Sequence, residues 1–153
     1  MDPVLMTKLR VTQPGTDARR LTAVAAYEDS ATETRVNEFC TSLVQHLGRK
    51  CEVTKHMWLL SELRVSQLRT IAAGEAAAAD VILVSLHHAD SLPAEVENWV
   101  ELWLARKGPQ PKVLLALFDP PHRGISTSMQ ARLKEAASRG RMEFLVQTEE
   151  SLD

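Results

Sequence analysis

Cysteine is scarce in this chain, with two in 153 residues, Cys40 and Cys51. Two thiols cannot build the disulfide framework of a small secreted domain, so the expectation is reduced, partly buried thiols in a cytoplasmic protein. Charge of one sign is lacking as well. Lys and Arg number 18 and Asp and Glu 20, a formal net charge of −2. That balance gives nucleic acid or an anionic membrane no electrostatic hold, and neither is expected as a partner. No apolar run approaches the roughly 20 residues of a membrane-spanning helix. Met1 to Lys8 do not run from basic to apolar as a secretory leader does. Glycine is sparse at 6 residues, and none forms a Gly-x-Ser-x-Gly elbow about Ser85.

What is present is a rhythm of short apolar strand patterns alternating with amphipathic helix patterns. With 44% apolar and 25% charged residues, the chain has the makings of one globular domain. Residues 21–27, 51–58, 81–86, 113–118 and 142–147 read as strands. Helical spacing fills the intervals: Val36, Phe39, Cys40, Leu43, Val44 and Leu47 form one stripe, and Val65, Leu68, Ile71 and Ala72 a second. Val96, Trp99, Val100 and Trp103 form a third, and Met129, Leu133 and Ala136 or Ala137 a fourth. Ser30 or Thr32 is placed to cap the first helix, which Gly48 stops, and Gly140 ends the fourth. Residues 1–20, with Pro3, Pro14 and Gly15, read as an N-terminal arm, and residues 21–153 as a single α/β domain. Such alternation specifies a parallel sheet with helices on both faces. The simplest doubly wound order, 2-1-3-4-5, puts the most apolar strands in the centre and the polar second strand at an edge. This is a three-layer, flavodoxin-like arrangement. Only residues 147–153 follow the fifth strand, so the final helix of that plan is missing.

The stretch Asp80-Val81-Ile82-Leu83-Val84-Ser85-Leu86-His87-His88-Ala89-Asp90 resembles the third strand and following loop of response-regulator receiver domains. Glu28-Asp29 sits where receivers keep the acidic pair that holds magnesium. The resemblance runs over 21–147 in strand order. It puts Ser85 at the phosphoacceptor aspartate, Ala116 or Leu117 at the hydroxyl position and Gln147 at the lysine position. What it implies is a receiver-like domain without phosphorylation chemistry. Ser30-Ala31-Thr32-Glu33-Thr34-Arg35 is similar to the phosphate loop of flavodoxins, but Glu33 replaces the glycine there and would repel a phosphate, which argues against FMN. Ser85 to Trp99 is loosely similar to a stretch of TIR domains. There Glu95 would be the acid, although a first-turn glutamate is already accounted for by the helix dipole.

In an open parallel sheet, ligands bind outside the carboxyl ends of the strands. The candidate crevice therefore comprises Glu28, Asp29 and Ser30 after strand 1, Ser85, His87, His88 and Asp90 at strand 3, and Asp119 and His122 after strand 4. Imidazoles with carboxylates form a ligand set for a divalent metal, with Glu28, Asp29, His88 and Asp90 as the candidates. Ser85, His87 or His88 and Asp90 do not make a hydrolytic triad, because three residues of one strand end cannot converge on a point. Trp99 and Trp103, four apart, read as core, and Trp58 as half exposed beside the crevice. Without a helix after strand 5 one sheet face would carry a single helix, and the bare apolar remainder calls for the arm or a second copy, hence a homodimer. The expected function is a non-enzymatic regulatory or protein-interaction module. The alternative is a small-molecule or metal-binding enzyme that uses the crevice.

Overall fold

The computed structural model describes residues 19–47, 51–87, 91–106, 113–118 and 127–148. Five strands, β1 (Arg19–Tyr27), β2 (Cys51–Leu59), β3 (Val81–Leu86), β4 (Val113–Phe118) and β5 (Glu143–Thr148), form one sheet in the order β2-β1-β3-β4-β5. Every neighbouring pair is parallel. This is the flavodoxin-like order predicted from composition. The helices are α1 (Ser30–Leu47), α2 (Leu60–Leu63), α3 (Ser66–Ala77), α4 (Ala94–Leu104) and α5 (Thr127–Arg139). The arm at 1–18 lies outside the described residues, and Arg19 and Arg20 belong to β1 rather than to the arm.

The centre of the sheet explains the layering. All six residues of β3 and all six of β4 are buried, so both faces of these strands must be covered. On one face α1 brings Val36, Phe39, Cys40 and Leu43 against Leu21, Ala23, Ala25, Val81, Leu83, Val113, Leu115 and Leu117. The other face carries α2 to α5 on Val24, Ala26, Ile82, Val84, Leu114 and Ala116. Trp99 and Trp103 are fully buried there, edge to face with ring centroids 6.3 Å apart, as predicted for core residues. Cys40 is a buried free thiol whose pKa is pushed up to about 11 by desolvation. At the opposite rim from the crevice, Asp80 clamps β1: its carboxylate accepts from Thr22 N at 2.8 Å while its own N–H donates to Thr22 O at 2.9 Å.

Three expectations are corrected. Val44, placed in the α1 stripe, is 40% exposed, because α1 overhangs the half-covered edge strand at this point. The second helical stripe divides at Arg64 and Val65 into α2 and α3, and the break shifts its phase. Ala72, Ala73 and Ala76 then face the sheet, while Val65 and Ile71 turn outward. Side chains of one carbon let α3 sit closer to the strands than an isoleucine would. Finally, Val113, Leu115 and Leu117 are already buried within the single chain. At these three positions the sheet face is covered without a second copy.

The outer helices are tied by charge. Arg132 of α5 reaches Glu97 at 2.8 Å and Glu101 at 2.7 Å on α4 and also pairs with Glu135, and Arg139 bonds both oxygens of Glu101 at 2.8 and 3.0 Å. The hydrogen bonds from Arg139 and Arg132 hold the Glu101 carboxyl down at about 2. A depressed carboxyl contributes stability above its unfolded pKa and loses it as the pH falls through the folded one. The pair is half exposed, so Glu101→Gln is expected to cost about 1 kcal/mol at neutral pH. In urea melts this difference should fade as the pH drops from about 4.5 to about 2.

At the end of α5 the turn is made by Arg141, which holds φ at 56°, while Met142 N donates to Ala137 O at 2.9 Å. Gly140, predicted as the stop, is needed for a different reason: a Cβ there would come within 3.1 Å of Leu104 Cδ2 and 3.3 Å of Met142 Sδ. Arg141→Gly is expected to raise stability by about 1 kcal/mol, because a left-handed conformation strains any residue with a Cβ. Gly140→Ala is expected to lower the thermal midpoint.

Candidate functional site

The carboxyl rim of β1 and β3 is where the strand order reverses. β1 pairs with β2 on one side and β3 on the other, and the chain leaves both β1 and β3 here. Of the predicted crevice residues, the structure describes Glu28, Asp29, Ser30, Ser85 and His87. His88, Asp90, Asp119 and His122 lie outside the described residues, so the metal set is described only at Glu28 and Asp29.

The rim is built around the first turn of α1. The predicted caps were Ser30 or Thr32, but the capping residue is Asp29. Its Oδ1 accepts from Thr32 N at 3.0 Å, and its carbonyl accepts from Glu33 N at 2.9 Å. Thr32 answers from the helix: its Oγ1 accepts from Asp29 N at 2.9 Å and from Glu28 N at 2.8 Å. This is a capping box with aspartate and threonine in the two roles. A carboxylate thus already occupies the amide-rich, positive end of α1, where a ligand phosphate would otherwise bind. The hydrogen bond from the Thr32 backbone, aided by His87, holds the Asp29 carboxyl below its usual range.

The end of β3 is fastened to the same turn. Ser85 is fully buried, and its Oγ donates to Thr32 O at 2.9 Å. His87 Nε2 stands 2.7 Å from Asp29 Oδ2, and His87 N donates to Glu28 Oε1 at 3.1 Å. Beneath these, Arg35 of α1 is 7% exposed and donates from Nη1 to Leu86 O at 3.3 Å. Ser85 in this setting is a structural hydroxyl. Its proton is committed to a carbonyl and its oxygen is closed off from solvent, so it lacks the access that a nucleophile needs.

Glu28, Asp29, Ser85 and His87 stand at one rim, His87 bonded to Glu28 and Asp29, and Ser85 joined to them through Thr32. Among the described residues, no three His, Cys, Asp or Glu side chains gather as a metal site. Thr32, which joins Glu28, Asp29 and Ser85, was read only as a cap. The spacing Asp29-x-x-Thr32 is the signal that could have exposed its role. Glu95 is paired with Arg64. Trp58 is half buried, with its indole N–H donated to Glu75 Oε1 at 2.7 Å.

The described clefts lie elsewhere. One of about 340 Å³ runs along α1 past Thr34, Asn37, Glu38, Thr41, Ser42 and Gln45. Another of about 100 Å³ lies where α1 meets β2, lined by Cys40, Thr41, Val44, Val53 and Lys55. No described helix is long and apolar enough to cross a membrane.

Asp29→Ala removes a helix cap and the His87 contact together, and is expected to cost about 1–2 kcal/mol in chemical denaturation. The cost should be full above the carboxyl's ordinary range near pH 4 and should shrink as the pH falls below it, because Asp29 is the depressed partner.

Comparison with known proteins bears on the fold. No family model matches the chain, and no curated protein sequence does. Among solved structures, the chain is similar to one described as an oxidoreductase from Corynebacterium diphtheriae, with a TM-score of 0.57 at 16% identity, covering 86% of this chain and 82% of that one. That likeness supports the doubly wound architecture just described.

Proposed function

We propose that this protein is a non-enzymatic regulatory or protein-interaction module, receiver-like in build but without a phosphoacceptor. The observation that carries the reading is Ser85. At the position where a receiver holds its reactive aspartate, the chain places a hydroxyl that is fully buried and bonded to the α1 backbone at 2.9 Å. The acidic pair beside it is engaged as well: Asp29 caps α1, and Glu28 accepts from the His87 amide. Among the described residues, these internal bonds take up groups that would otherwise meet a phosphoryl group or magnesium. The use of the rim would then be to hold the β3 end and α1 rigid, so that outer helix and strand surfaces are presented to a protein or to a second copy. Incubation with acetyl phosphate and magnesium is expected to leave the intact mass unchanged. A stoichiometric gain of one phosphoryl group would refute the reading.

A second reading, a small-molecule or metal-binding enzyme at the same crevice, draws support from the His87–Asp29 couple at 2.7 Å, an acid–base pair at a topological switch point. The solved structure of similar fold carries the description oxidoreductase, but one fold hosts many chemistries. Protein purified without chelator and containing near-equimolar zinc or manganese would favour this reading over the first. A preparation that quenches added FMN fluorescence would do so too.

A further inference from the structure

The two described clefts border the same edge of the sheet. One runs along α1, and the other joins α1 to β2 through Cys40, Thr41, Val44, Val53 and Lys55. Among the described residues nothing pairs with the outer side of β2. β2 has nine residues against six in β5, the strand at the opposite edge. An open strand edge presents unpaired N–H and C=O groups to any extended chain of compatible side chains.

We propose that this edge pairs with β2 of a second copy of the chain, antiparallel about a twofold axis through Thr54. The argument is complementarity of the side chains that would stand opposite one another. Even-numbered residues of β2 face α3, where His56 and Trp58 both meet Glu75. Odd-numbered residues face α1, where Lys55 Nζ donates to Asn37 Oδ1 at 2.7 Å and Val53 and Met57 border the core. A twofold axis perpendicular to the sheet keeps each face on its own side, so only residues of like parity can stand opposite. Centring on Lys55 would set two ammonium groups against each other, and centring on Val53 pairs no charges. Centring on Thr54 places Glu52 opposite the second copy's His56, twice, with threonine opposite threonine between them, both favourable cross-strand pairs. Glu52 is exposed and lies 3.8 Å from Arg20 on its inner side, leaving its outer side open to such a pair. The same union brings together the α1 flanks, where Val44 stands 40% exposed beside Val53.

This inference rests on the interaction reading above and names its partner. Sedimentation over a rising concentration series is expected to show monomer passing to dimer. Glu52→Lys, which takes the acceptor carboxylate away from His56 in both pairs, should weaken the dimer roughly tenfold. Thr54→Cys should form an intermolecular disulfide under mild oxidation, whereas Lys55→Cys, offset from its counterpart, and the parent chain should link far more slowly. Folding of each variant is checked by its thermal melt. A protein that stays monomeric throughout overturns the proposal, and so does a dimer that Glu52→Lys leaves intact and Thr54→Cys fails to cross-link. The edge would then be served by another segment of this chain or by a foreign strand. Either result leaves the interaction reading standing if acetyl phosphate gives no label. Labelling of a normal dimer would instead remove that reading and keep the interface.

Discussion

Burial of β3 and β4 on both faces is the constraint from which the rest follows. Twelve consecutive positions in two strands exclude water, so helices must lie above and below them, and right-handed crossovers leave few strand orders that satisfy this. With β3 central, β1 must flank it and β2 must fall at an edge. The carboxyl ends of β1 and β3 then meet where the winding reverses. The place of the rim is thus a consequence of hydrophobic burial at the centre of the sheet rather than of any residue in the rim itself.

What fills that place is local polar chemistry. The amide end of α1 needs an anion or a hydrogen-bond acceptor. Where such a helix end binds a phosphate, the ligand supplies it; here Asp29 does. Thr32 fixes the loop amides of Glu28 and Asp29 and receives Ser85. Arg35, almost fully buried, sets its charge against the carbonyl end of β3. Each of these groups would be costly to bury alone, and the bonds between them offset part of that cost.

The periphery has a different character. α4 and α5 are joined by Arg132 and Arg139 around Glu101, a network exposed enough to be adjustable by salt and pH. The β2 edge is only half covered, with apolar and charged side chains side by side. A centre buried on both faces thus sits beneath outer surfaces that are exposed and charged.

Much of this was legible in the residues themselves. The unbroken apolar runs of β3 and β4, the tryptophans four apart in α4 and the polar character of β2 specified the strands, the core and the sheet order, because burial acts on each residue according to its own chemistry. The α2–α3 region was less legible. A stripe through Val65 and Ile71 satisfies helical spacing, but a break at Arg64 turned the alanines inward instead, and helix phase after a break depends on packing. The rim residues could be named from the ends of strands, yet not their bonding: the links of Ser85 to Thr32 and of His87 to Glu28 join segments 53 to 59 residues apart in sequence. Sequence by itself determined the architecture and where a site would have to lie, since these follow from pattern and burial. Only the tertiary structure decided that the described rim residues bond across it, Ser85 to Thr32 and His87 to Glu28 and Asp29, since hydrogen bonds across strands exist only once the sheet has assembled.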